Sequence, residues 1–349
     1  MSLPDDLSTP HDPVEPQADN NQEDVFDVTL VGGGPVGMFG MFYAGIRDMK
    51  CKIIDALPEL GGQLAALYPE KFIFDVLGFP KVLARDLVAS CKEQATQWGG
   101  TVCLDERVEQ LHRRSDGVFE LVTPKTTHYS RTVILTSGVG AFSPVKLNVP
   151  GVDRFENNGV VYFVSDKSKF AGKRILIVGG GDSAVDWALN LQDVAADVTL
   201  IHRRDKFRAH EGSVNEMMAT RTKVLLWHEA KEVHGNDHIE GVTVFENRTK
   251  EEQFIPCDIV LLTLGFKASL GPIRDWGLNI EGGSIVVNDF METNIPGVYS
   301  AGDIVTFPGK LKLIATGAGE VTVAICHAKH YIDPSVSIFP GHSSNRMGG

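Results

Sequence analysis

Two glycine-rich loops in this sequence share one spacing. The first reads VGGGPVG at residues 31–37 and the second reads VGGGDSA at residues 178–184. In this pattern one glycine allows a tight turn, one lets the backbone approach a pyrophosphate, and the last small residue lets a helix pack closely. The candidate phosphate-binding residues are Gly32, Gly34, Pro35 and Gly37 in the first loop and Gly179, Gly181, Asp182, Ser183 and Ala184 in the second.

The residues that follow each loop's next strand distinguish the two ligands. Asp55 ends the strand CKIID in the first unit, where a carboxylate can accept hydrogen bonds from both hydroxyls of an unphosphorylated ribose. That position favours FAD or NAD. The second unit carries basic residues there instead, namely His202, Arg203, Arg204 and Arg208. Because guanidinium groups pair well with a phosphate dianion, the second ligand is predicted to be NADPH.

Two shorter segments complete the candidate site of the first unit. GGQL at residues 61–64 supplies the backbone of Gly62 and the amide of Gln63, which suit a flat polar heterocycle. YSAGD at residues 299–303 puts Asp303 after a short apolar strand, where its carboxylate can approach a pyrophosphate or a ribityl chain.

These residues require strands and helices that bring them together. VFDVTLV at residues 25–31 is typical of a buried parallel strand, an apolar helix follows over 37–47, and CKIID gives the next strand. The same order recurs at residues 174–204, so the chain contains two βαβ units. The predicted fold class is α/β with two Rossmann-like dinucleotide-binding domains.

The second domain is predicted to be inserted into the first. Segments 141–151 and 265–271, rich in proline and glycine, are the predicted crossings. The predicted FAD-binding domain comprises residues 25–146 and 268–331, and the predicted NADPH-binding domain comprises residues 147–267. Residues 1–24 form an acidic tail predicted to be disordered, and residues 332–349 form an extension.

Composition excludes several classes of function. The net charge of −12 argues against a nucleic-acid partner, which requires an excess of basic residues. The five cysteines are scattered without a C-x-x-C pair, so no metal site is predicted. No apolar run reaches the length of a membrane helix and no signal peptide precedes the first strand, so the predicted location is cytoplasmic, with no membrane partner.

The motifs VGGGPVG, GGQL, VGGGDSA, HRRDKFRA and TNIPGVYSAGD, in this order, resemble those of the thioredoxin reductase-like flavoproteins over residues 25–330. Thioredoxin reductases carry a C-x-x-C just before the second loop, where this sequence has YFVS at residues 162–165. Dithiol exchange needs both sulfurs, so disulfide reduction by that route is excluded. The segments 61–81 and FPGHSS at 339–344 are similar to the thioredoxin reductase-type ferredoxin–NADP reductases, a branch that lacks the disulfide.

The resemblance implies roles for individual residues. Tyr68 would stack on one face of the FAD isoalloxazine, while His342 from the extension would cover the other face. Together with Ser344 they are the candidate catalytic residues. The positions that match FAD contacts in this family are Gln63, Val108, Phe142, Asp303 and Ser344. A homodimer is also implied, although the sequence leaves open whether the extension covers its own flavin or that of the partner.

The predicted function is therefore that of a ferredoxin–NADP(+) reductase, with hydride transfer between NADPH and FAD and single-electron transfer to ferredoxin or flavodoxin. Three alternatives share these motifs: a quinone or oxygen reductase, a reductase of a disulfide on another protein, and a non-catalytic NADP-sensing module. Overall acidity opposes docking of an acidic ferredoxin unless a local basic patch faces it. Lys310 and Lys312 are the candidates for that patch.

Overall fold

The computed structural model describes residues 24–138 and 140–342, with the backbone alone for residues 141–143, 267 and 268. Within these ranges the α-helices are α1 (Pro35–Ile46), α2 (Gln63–Ala66), α3 (Ala84–Thr96), α4 (Asp182–Leu191), α5 (Glu211–Met218) and α6 (Ile314–Ile332). Short 3-10 helices span Asp153–Phe155, Lys167–Phe170 and Gly271–Asp275. The strands are β1 (Val25–Val31), β2 (Cys51–Ile54), β3 (Phe72–Ile73), β4 (Val82–Leu83), β5 (Thr101–Cys103), β6 (Gln110–Arg113), β7 (Phe119–Val122), β8 (Thr127–Leu135), β9 (Ala141–Pro144), β10 (Val160–Val161), β11 (Arg174–Gly179), β12 (Asp197–His202), β13 (Lys223–Leu226), β14 (His228–Gly235), β15 (Ile239–Glu246), β16 (Glu252–Pro256), β17 (Ile259–Thr263), β18 (Phe266–Ser269), β19 (Ile280–Glu281), β20 (Ser284–Val286), β21 (Val298–Ser300) and β22 (Val305–Thr306).

The first sheet has β1 at its centre. Its order is β5-β2-β1-β8-β7-β6, and β21 also pairs with β8. The strands β5, β2, β1, β8 and β21 are parallel, whereas β7 pairs antiparallel with both β8 and β6. Val28, Thr29 and Leu30, on alternate faces of β1, are all fully buried, as expected for a strand covered on both faces. The carboxyl end of β1 leads directly into the first glycine-rich loop.

The second sheet repeats this arrangement with five parallel strands. Its order is β10-β17-β11-β12-β13, and β11 again leads into a glycine-rich loop. Ile175 and Ile177 of β11 pack against Trp187 and Leu191 of α4 in one apolar cluster. A separate antiparallel sheet, β14-β15-β16, lies next in the chain, and its Val242 and Val244 are fully buried.

The two predicted crossings pair with each other. Strands β9 and β18 form an antiparallel ribbon in which Pro144 faces Phe266 and Ala141 faces Ser269. The backbone N–H of Val145 donates to the carbonyl of Gly265 at 2.9 Å, which extends the ribbon. The chain therefore leaves the first sheet and returns to it at one place.

The apolar cores follow the two sheets. One cluster joins residues 28–135 to residues 270–328, and two others lie within residues 152–262. The domain boundaries themselves remain a prediction. Among the described residues, no helix combines the length and the hydropathy needed to cross a bilayer.

Candidate functional site

A cavity of about 450 Å³ opens at the carboxyl ends of the first sheet. It is lined by residues from several segments that are distant in sequence. Nine residues predicted to contact FAD line it: Gly32, Gly34, Pro35, Asp55, Gly62, Gln63, Tyr68, Val108 and Asp303. The fold therefore brings these predicted residues to one place, as expected where parallel strands end.

The glycines of the first loop act in different ways. Gly32 has φ of 115°, a conformation that other residues rarely adopt. A Cβ at Gly37 would lie 2.0 Å from the carbonyl oxygen of Gly32, so a side chain there would block the approach of α1 to the loop. A Cβ at Gly34 would meet nothing within 4 Å, which leaves this backbone open to the cavity. Pro35 begins α1, where its missing N–H costs no hydrogen bond.

Asp55 is buried at the end of β2 and is tied to the loop. Its Oδ2 accepts a hydrogen bond from the backbone N–H of Gly33, and its Oδ1 accepts one from Leu57 at 2.8 Å. Burial raises the pKa of Asp55, while these two backbone donors lower it, and the net effect is upward. Each oxygen keeps a lone pair that can accept a hydroxyl from the cavity.

Tyr68 and Asp303 lie close together on the cavity wall. Burial raises the pKa of Tyr68, and the nearby carboxylate of Asp303 raises it further. The phenol therefore stays protonated and neutral over the physiological pH range.

A buried ion pair holds the segment that contains Asp303. The N–H of Gly302 donates to Glu320 Oε2 at 2.8 Å, and Lys310 Nζ lies 2.5 and 2.7 Å from the two oxygens of Glu320. The side chains of Lys310 and Glu320 are only 6% and 8% exposed. The prediction that Lys310 faces a partner protein is therefore wrong, because its ammonium is buried against α6. Lys312 is exposed and lines the cavity.

The second glycine-rich loop also leads from a strand into a helix, although Gly179 lacks the positive φ of Gly32. A Cβ at Gly179 would lie 2.2 Å from Thr263 Oγ1, whereas Gly181 is open to space. Asp182 and Ser183 form the first turn of α4, and Ala184 is fully buried beneath it. The start of α4 thus presents free backbone N–H groups, which suit a phosphate.

The basic segment that follows β12 is hydrogen-bonded to the second glycine-rich loop and the start of α4. The N–H of Arg208 donates to the carbonyl of Gly180 at 2.7 Å, and that of His210 donates to Asp182 Oδ1 at 3.0 Å. The guanidinium groups of Arg203, Arg204 and Arg208 are exposed. Within the described part of the chain, no ion pair involves any of these three residues.

His202 has a different environment from its arginine neighbours. It is buried, its ring stacks on Phe207 at 5.1 Å, and its Nε2 lies 3.0 Å from the carbonyl of Lys206. A Cβ at Gly180 would lie 2.1 Å from this ring, so His202 supports the glycine loop from below. A direct contact of His202 with NADPH stays a prediction.

The side chain of Lys71 connects the segment that follows Tyr68 to α4. Its Nζ lies 2.9 Å from Asp186 Oδ2 and 3.5 Å from Ser183 Oγ. The same ammonium lies 5.9 Å from the centre of the Tyr68 ring and 5.7 Å from that of Trp187. A residue near the first cavity therefore reaches the helix that follows the second glycine loop.

Comparison with known proteins agrees with this geometry. The profile of the pyridine nucleotide-disulphide oxidoreductase family matches residues 26–328. The chain belongs to this oxidoreductase family. Ferredoxin–NADP reductase 2 of Bacillus cytotoxicus is 53% identical to the oxidoreductase over 323 residues, covering 93% of this chain and 98% of the relative. Ferredoxin–NADP reductase of Geobacillus thermodenitrificans is 53% identical over 322 residues, covering 92% and 97%.

Solved structures confirm the predicted fold class of the oxidoreductase. Thioredoxin reductase of T. acidophilum superposes with a TM-score of 0.77 at 26% identity, covering 90% of this chain and 100% of that one. Thioredoxin reductase of Lactococcus lactis, in the FR conformation, gives a TM-score of 0.75 at 26% identity, covering 88% and 99%. The chain is therefore a thioredoxin reductase-like protein with two dinucleotide-binding folds.

The oxidoreductase has no thiol pair just before its second glycine loop. Residues 162–165 contain no cysteine, and Tyr162 and Val164 are buried there as apolar packing. All five cysteines are free, and Cys51, Cys257 and Cys326 are buried. Burial raises the pKa of the Cys257 thiol to about 12, which keeps it protonated and unreactive.

The extension of the oxidoreductase follows α6, and none of its described residues, up to position 342, lines the cavity. Arg47 Nη2 donates to the carbonyl of Ser337 at 2.7 Å, and Nη1 donates to that of Ile338 at 3.3 Å. His342 is exposed and lies edge-on to Phe339, with ring centres 5.7 Å apart. It does not line the cavity. Ser344 lies outside the described residues, as does the side chain of Phe142.

Several cavity residues were not predicted from the sequence. They come from segments with no motif and include Glu106, Ser137, Leu270, Pro272, Leu313 and Ile314. The apolar run that leads into α6 could have indicated Leu313 and Ile314. Ser137 and Glu106 carry no comparable signal, because only the strand order brings them to the cavity.

Beside the cavity, Glu106 belongs to a polar network. His128 Nε2 lies 2.8 Å from Glu106 Oε2, and His128 Nδ1 lies 2.9 Å from Lys52 Nζ. Because an ammonium can only donate, Nδ1 accepts from Lys52 and Nε2–H donates to Glu106. Cys103, Glu106 and His128 offer ligand atoms within 4.8 Å of one another. The Lys52 ammonium opposes a cation there, so we assign these residues to a hydrogen-bond network.

Proposed function

We propose that the oxidoreductase is a ferredoxin–NADP(+) reductase that holds FAD in the cavity and NADPH at the second glycine loop. The observation that carries the proposal is that the two loops lead to opposite charges. The first meets the buried carboxylate of Asp55, and the second meets the exposed guanidinium groups of Arg203, Arg204 and Arg208. The names of the relatives from B. cytotoxicus and G. thermodenitrificans support ferredoxin as the electron partner.

The residues of the cavity fit FAD. Gly34 leaves open space beside the backbone where a pyrophosphate would approach, and Asp55 can accept ribose hydroxyls. The hydroxyl of Ser137 is buried without a hydrogen-bond partner among the described residues, although it lies on the cavity wall. A buried hydroxyl of this kind favours a polar ligand. The apolar walls formed by Val31, Ile54 and Val108 suit the flat ring systems at the two ends of FAD.

FAD, when bound, accepts a hydride from NADPH and passes electrons on one at a time. The chain supplies binding and orientation. Gly32 and Gly34 hold the pyrophosphate at the start of α1, and Asp55 fixes the ribose. Asp303 binds hydroxyls near the centre of the cavity, and its segment is held in place by Glu320. Tyr68, on the cavity wall, would cover one face of the flavin ring and exclude water while its phenol stays protonated.

The second loop binds NADPH in the same way but selects a phosphorylated ribose. The first turn of α4 faces the pyrophosphate, while Arg203 and Arg204 pair with the 2′-phosphate. The backbone hydrogen bond from Arg208 to Gly180 keeps the basic segment beside the loop. NADH lacks the phosphate, so these arginines contribute selectivity for NADPH.

The extension supports a homodimer in this proposal. His342 is not among the residues that line the cavity of its own chain, so in this proposal it would cover the flavin of a partner subunit. Flavodoxin, which also accepts one electron at a time, is a second acceptor in this proposal. The cytoplasmic location is part of the proposal as well.

The visible spectrum of the purified protein tests the proposal first. We expect the absorption bands of an oxidised flavin, bleaching by NADPH and not by NADH at equal concentration, and recovery of the bands when oxidised ferredoxin is added. The released cofactor should be FAD by mass spectrometry. A colourless protein that binds NADPH would instead support the NADP-sensing module.

Acceptor assays separate the remaining alternatives. We expect kcat/KM for ferredoxin to exceed that for quinone or oxygen by about tenfold or more. A coupled assay with an external disulfide substrate should give no thiol release. If turnover is faster with quinone than with ferredoxin at matched concentrations, quinone replaces ferredoxin as the proposed acceptor.

A further inference from the structure

A short loop beside the cavity exposes four large apolar side chains. The segment spans residues 72–81 and comprises β3 and the turn that joins it to β4, with which β3 forms a hairpin. The exposed side chains are Phe72 (38% exposed), Phe74 (65%), Leu77 (94%) and Phe79 (40%). Together with Lys81 we call these residues the aromatic patch. Exposed apolar groups clustered in this way are a common feature of protein interaction sites.

The core of the protein does not require the aromatic patch. The intervening residues Ile73, Val76 and Val82 pack inward against the buried cluster that contains Leu64 and Leu87. The loop thus has one apolar side that anchors it and a second apolar side that faces solvent. The side that faces solvent exposes apolar surface to water, which is unfavourable, and it does not contribute to the core.

A cation lies within the aromatic patch. Lys81 Nζ is 3.8 Å from the centre of the Phe72 ring and 5.8 Å from that of Phe74. Lys81 is exposed. Its ammonium is held over the rings by cation–π attraction and remains free to meet a carboxylate from another molecule.

The aromatic patch adjoins the cavity. Ile73 and Asp75, from the same loop, line the cavity together with Tyr68. A molecule seated on Phe74 and Leu77 would therefore lie at the cavity wall.

We propose that the aromatic patch is the docking surface for the electron partner, a small acidic iron–sulfur protein of the ferredoxin class. The inference rests on the proposed function and adds to it the surface at which the partner binds. The patch combines apolar rings with one ammonium group. It is therefore complementary to an acidic partner that also presents apolar surface beside its iron–sulfur cluster. Because the chain has a net charge of −12, its overall charge repels such a partner, whereas Lys81 is a local positive charge that attracts it.

The charge of Lys81 also argues against a second copy of this chain as the occupant. A two-fold contact centred on Lys81 would bring two ammonium groups together where water is excluded, and a contact centred elsewhere in the patch would offer Lys81 only apolar rings as partners. An acidic partner instead pairs the ammonium with a carboxylate.

The test uses full-length holoprotein and three changes in the patch. Phe74→Ser with Leu77→Ser removes the apolar contact, Lys81→Glu reverses the charge, and Lys81→Arg keeps it. Phe254→Ser is the matched control, since Phe254 is 53% exposed on β16, belongs to the separate β14-β15-β16 sheet and does not line the cavity. Ferredoxin reduction, ferricyanide reduction with NADPH, and mass by light scattering are measured for every variant.

We expect the double variant and Lys81→Glu to raise the KM for ferredoxin at least tenfold, while ferricyanide reduction stays within twofold of the parent. Lys81→Arg and Phe254→Ser should resemble the parent. Raising the ionic strength should weaken ferredoxin binding to the parent more than to Lys81→Glu.

Two results would overturn the docking proposal. One is an unchanged KM for ferredoxin in both patch variants. The other is a loss of dimer mass in those variants, which would assign the patch to contact between copies of this chain. Failure of the proposed function looks different, because then the parent itself reduces ferricyanide but not ferredoxin.

Discussion

The guanidinium of Arg47 at the end of α1 donates a 2.7 Å hydrogen bond to the carbonyl oxygen of Ser337 in the extension. Arg47 is buried, with only 7% of its surface exposed, and it also holds the carbonyl of Ile338. The extension is thus fixed five residues before His342. Helix α1 begins at the first glycine loop, so one helix joins the phosphate-binding turn to the base of the extension.

Removing residues 333–349 is expected to change the reactivity of the flavin and not its retention. The deletion removes His342 but leaves both glycine loops, so FAD content should stay near that of the parent. Stopped-flow reduction by NADPH should differ in rate. His342→Ala should reproduce the deletion and His342→Phe should retain the parent behaviour, because a phenyl ring can still stack. Identical traces for all four proteins would mean that the extension has no role at the flavin.

Arg47→Gln is expected to act in the same direction as the deletion, with a smaller effect. Glutamine cannot span both carbonyl oxygens, so the base of the extension loses charge-assisted hydrogen bonds worth roughly 1.5–3 kcal/mol each. Arg47→Lys should restore part of the parent rate because it keeps one charged donor. If Arg47→Gln alters FAD retention instead, the residue acts through α1 and not through the extension.

Arg203→Ala combined with Arg204→Ala is expected to raise the KM for NADPH about a hundredfold while changing that for NADH little. Two charge-assisted hydrogen bonds at roughly 1.5–3 kcal/mol each account for this magnitude. Steady-state kinetics with both nucleotides provide the measurement, with Arg248→Ala as the control because Arg248 is an exposed arginine in the same half of the chain. An equal loss for NADPH and NADH would contradict the assignment of a 2′-phosphate.

FAD binding is expected to weaken in acid because of Asp55. The ionised carboxylate can accept a ribose hydroxyl on each oxygen, whereas protonation turns one oxygen into a donor, and burial raises the pKa of this group. Affinity should therefore be complete above the raised pKa and fall as the pH drops through it, at a higher pH than for an ordinary aspartate. Fluorescence titration of the apoprotein with FAD at several pH values measures this.

Variants at Asp55 provide the matching controls. Asp55→Asn should bind FAD weakly and lose the pH dependence, and Asp55→Ala should purify largely without FAD while keeping its affinity for NADPH. Asp86→Asn, at an exposed carboxylate of α3, should resemble the parent. Full retention of FAD by Asp55→Ala would assign the cavity to another ligand.

Glu106 is expected to stabilise the fold in its ionised form. Burial raises the pKa of Glu106, but the hydrogen bonds from His128 and Thr123 lower it more, so the net shift is downward. A lowered pKa gives stability that is present above the ordinary carboxyl range and is lost as the pH falls through the lowered value. Urea unfolding at neutral and acid pH should show Glu106→Gln less stable by about 1–3 kcal/mol at neutral pH, with a smaller difference in acid.

The exposed Glu109 gives the control for that measurement. Glu109→Gln should follow the parent at every pH, because its side chain lies in solvent. A Glu106→Gln protein with parent stability at neutral pH would mean that His128 and Lys52 keep the network intact alone.

The sequence predicted those parts of the site that depend on local spacing. Gly32, Gly34 and Asp55 belong to one βαβ unit, and the geometry of that unit alone brings them to the cavity. Ser137 and Leu313 could not be predicted in this way, because their place depends on the pairing of β1 with β8 and on the docking of α6. The prediction that Lys310 faces a partner protein was wrong for a related reason. Its partner Glu320 becomes its neighbour only when α6 packs against the loop that follows Asp303.

Because the two crossings pair with each other, the residues between β9 and β18 form an inserted unit whose two ends are adjacent. Strands β9 and β18 lie side by side, so the inserted residues begin and end within one strand spacing, about 5 Å. Joining Pro144 to Phe266 through a short turn would close the first half into a continuous chain without moving its sheet. A nucleotide-binding unit with ends this close can be exchanged as a module, so the nucleotide preference of the enzyme and its flavin site can change independently in evolution.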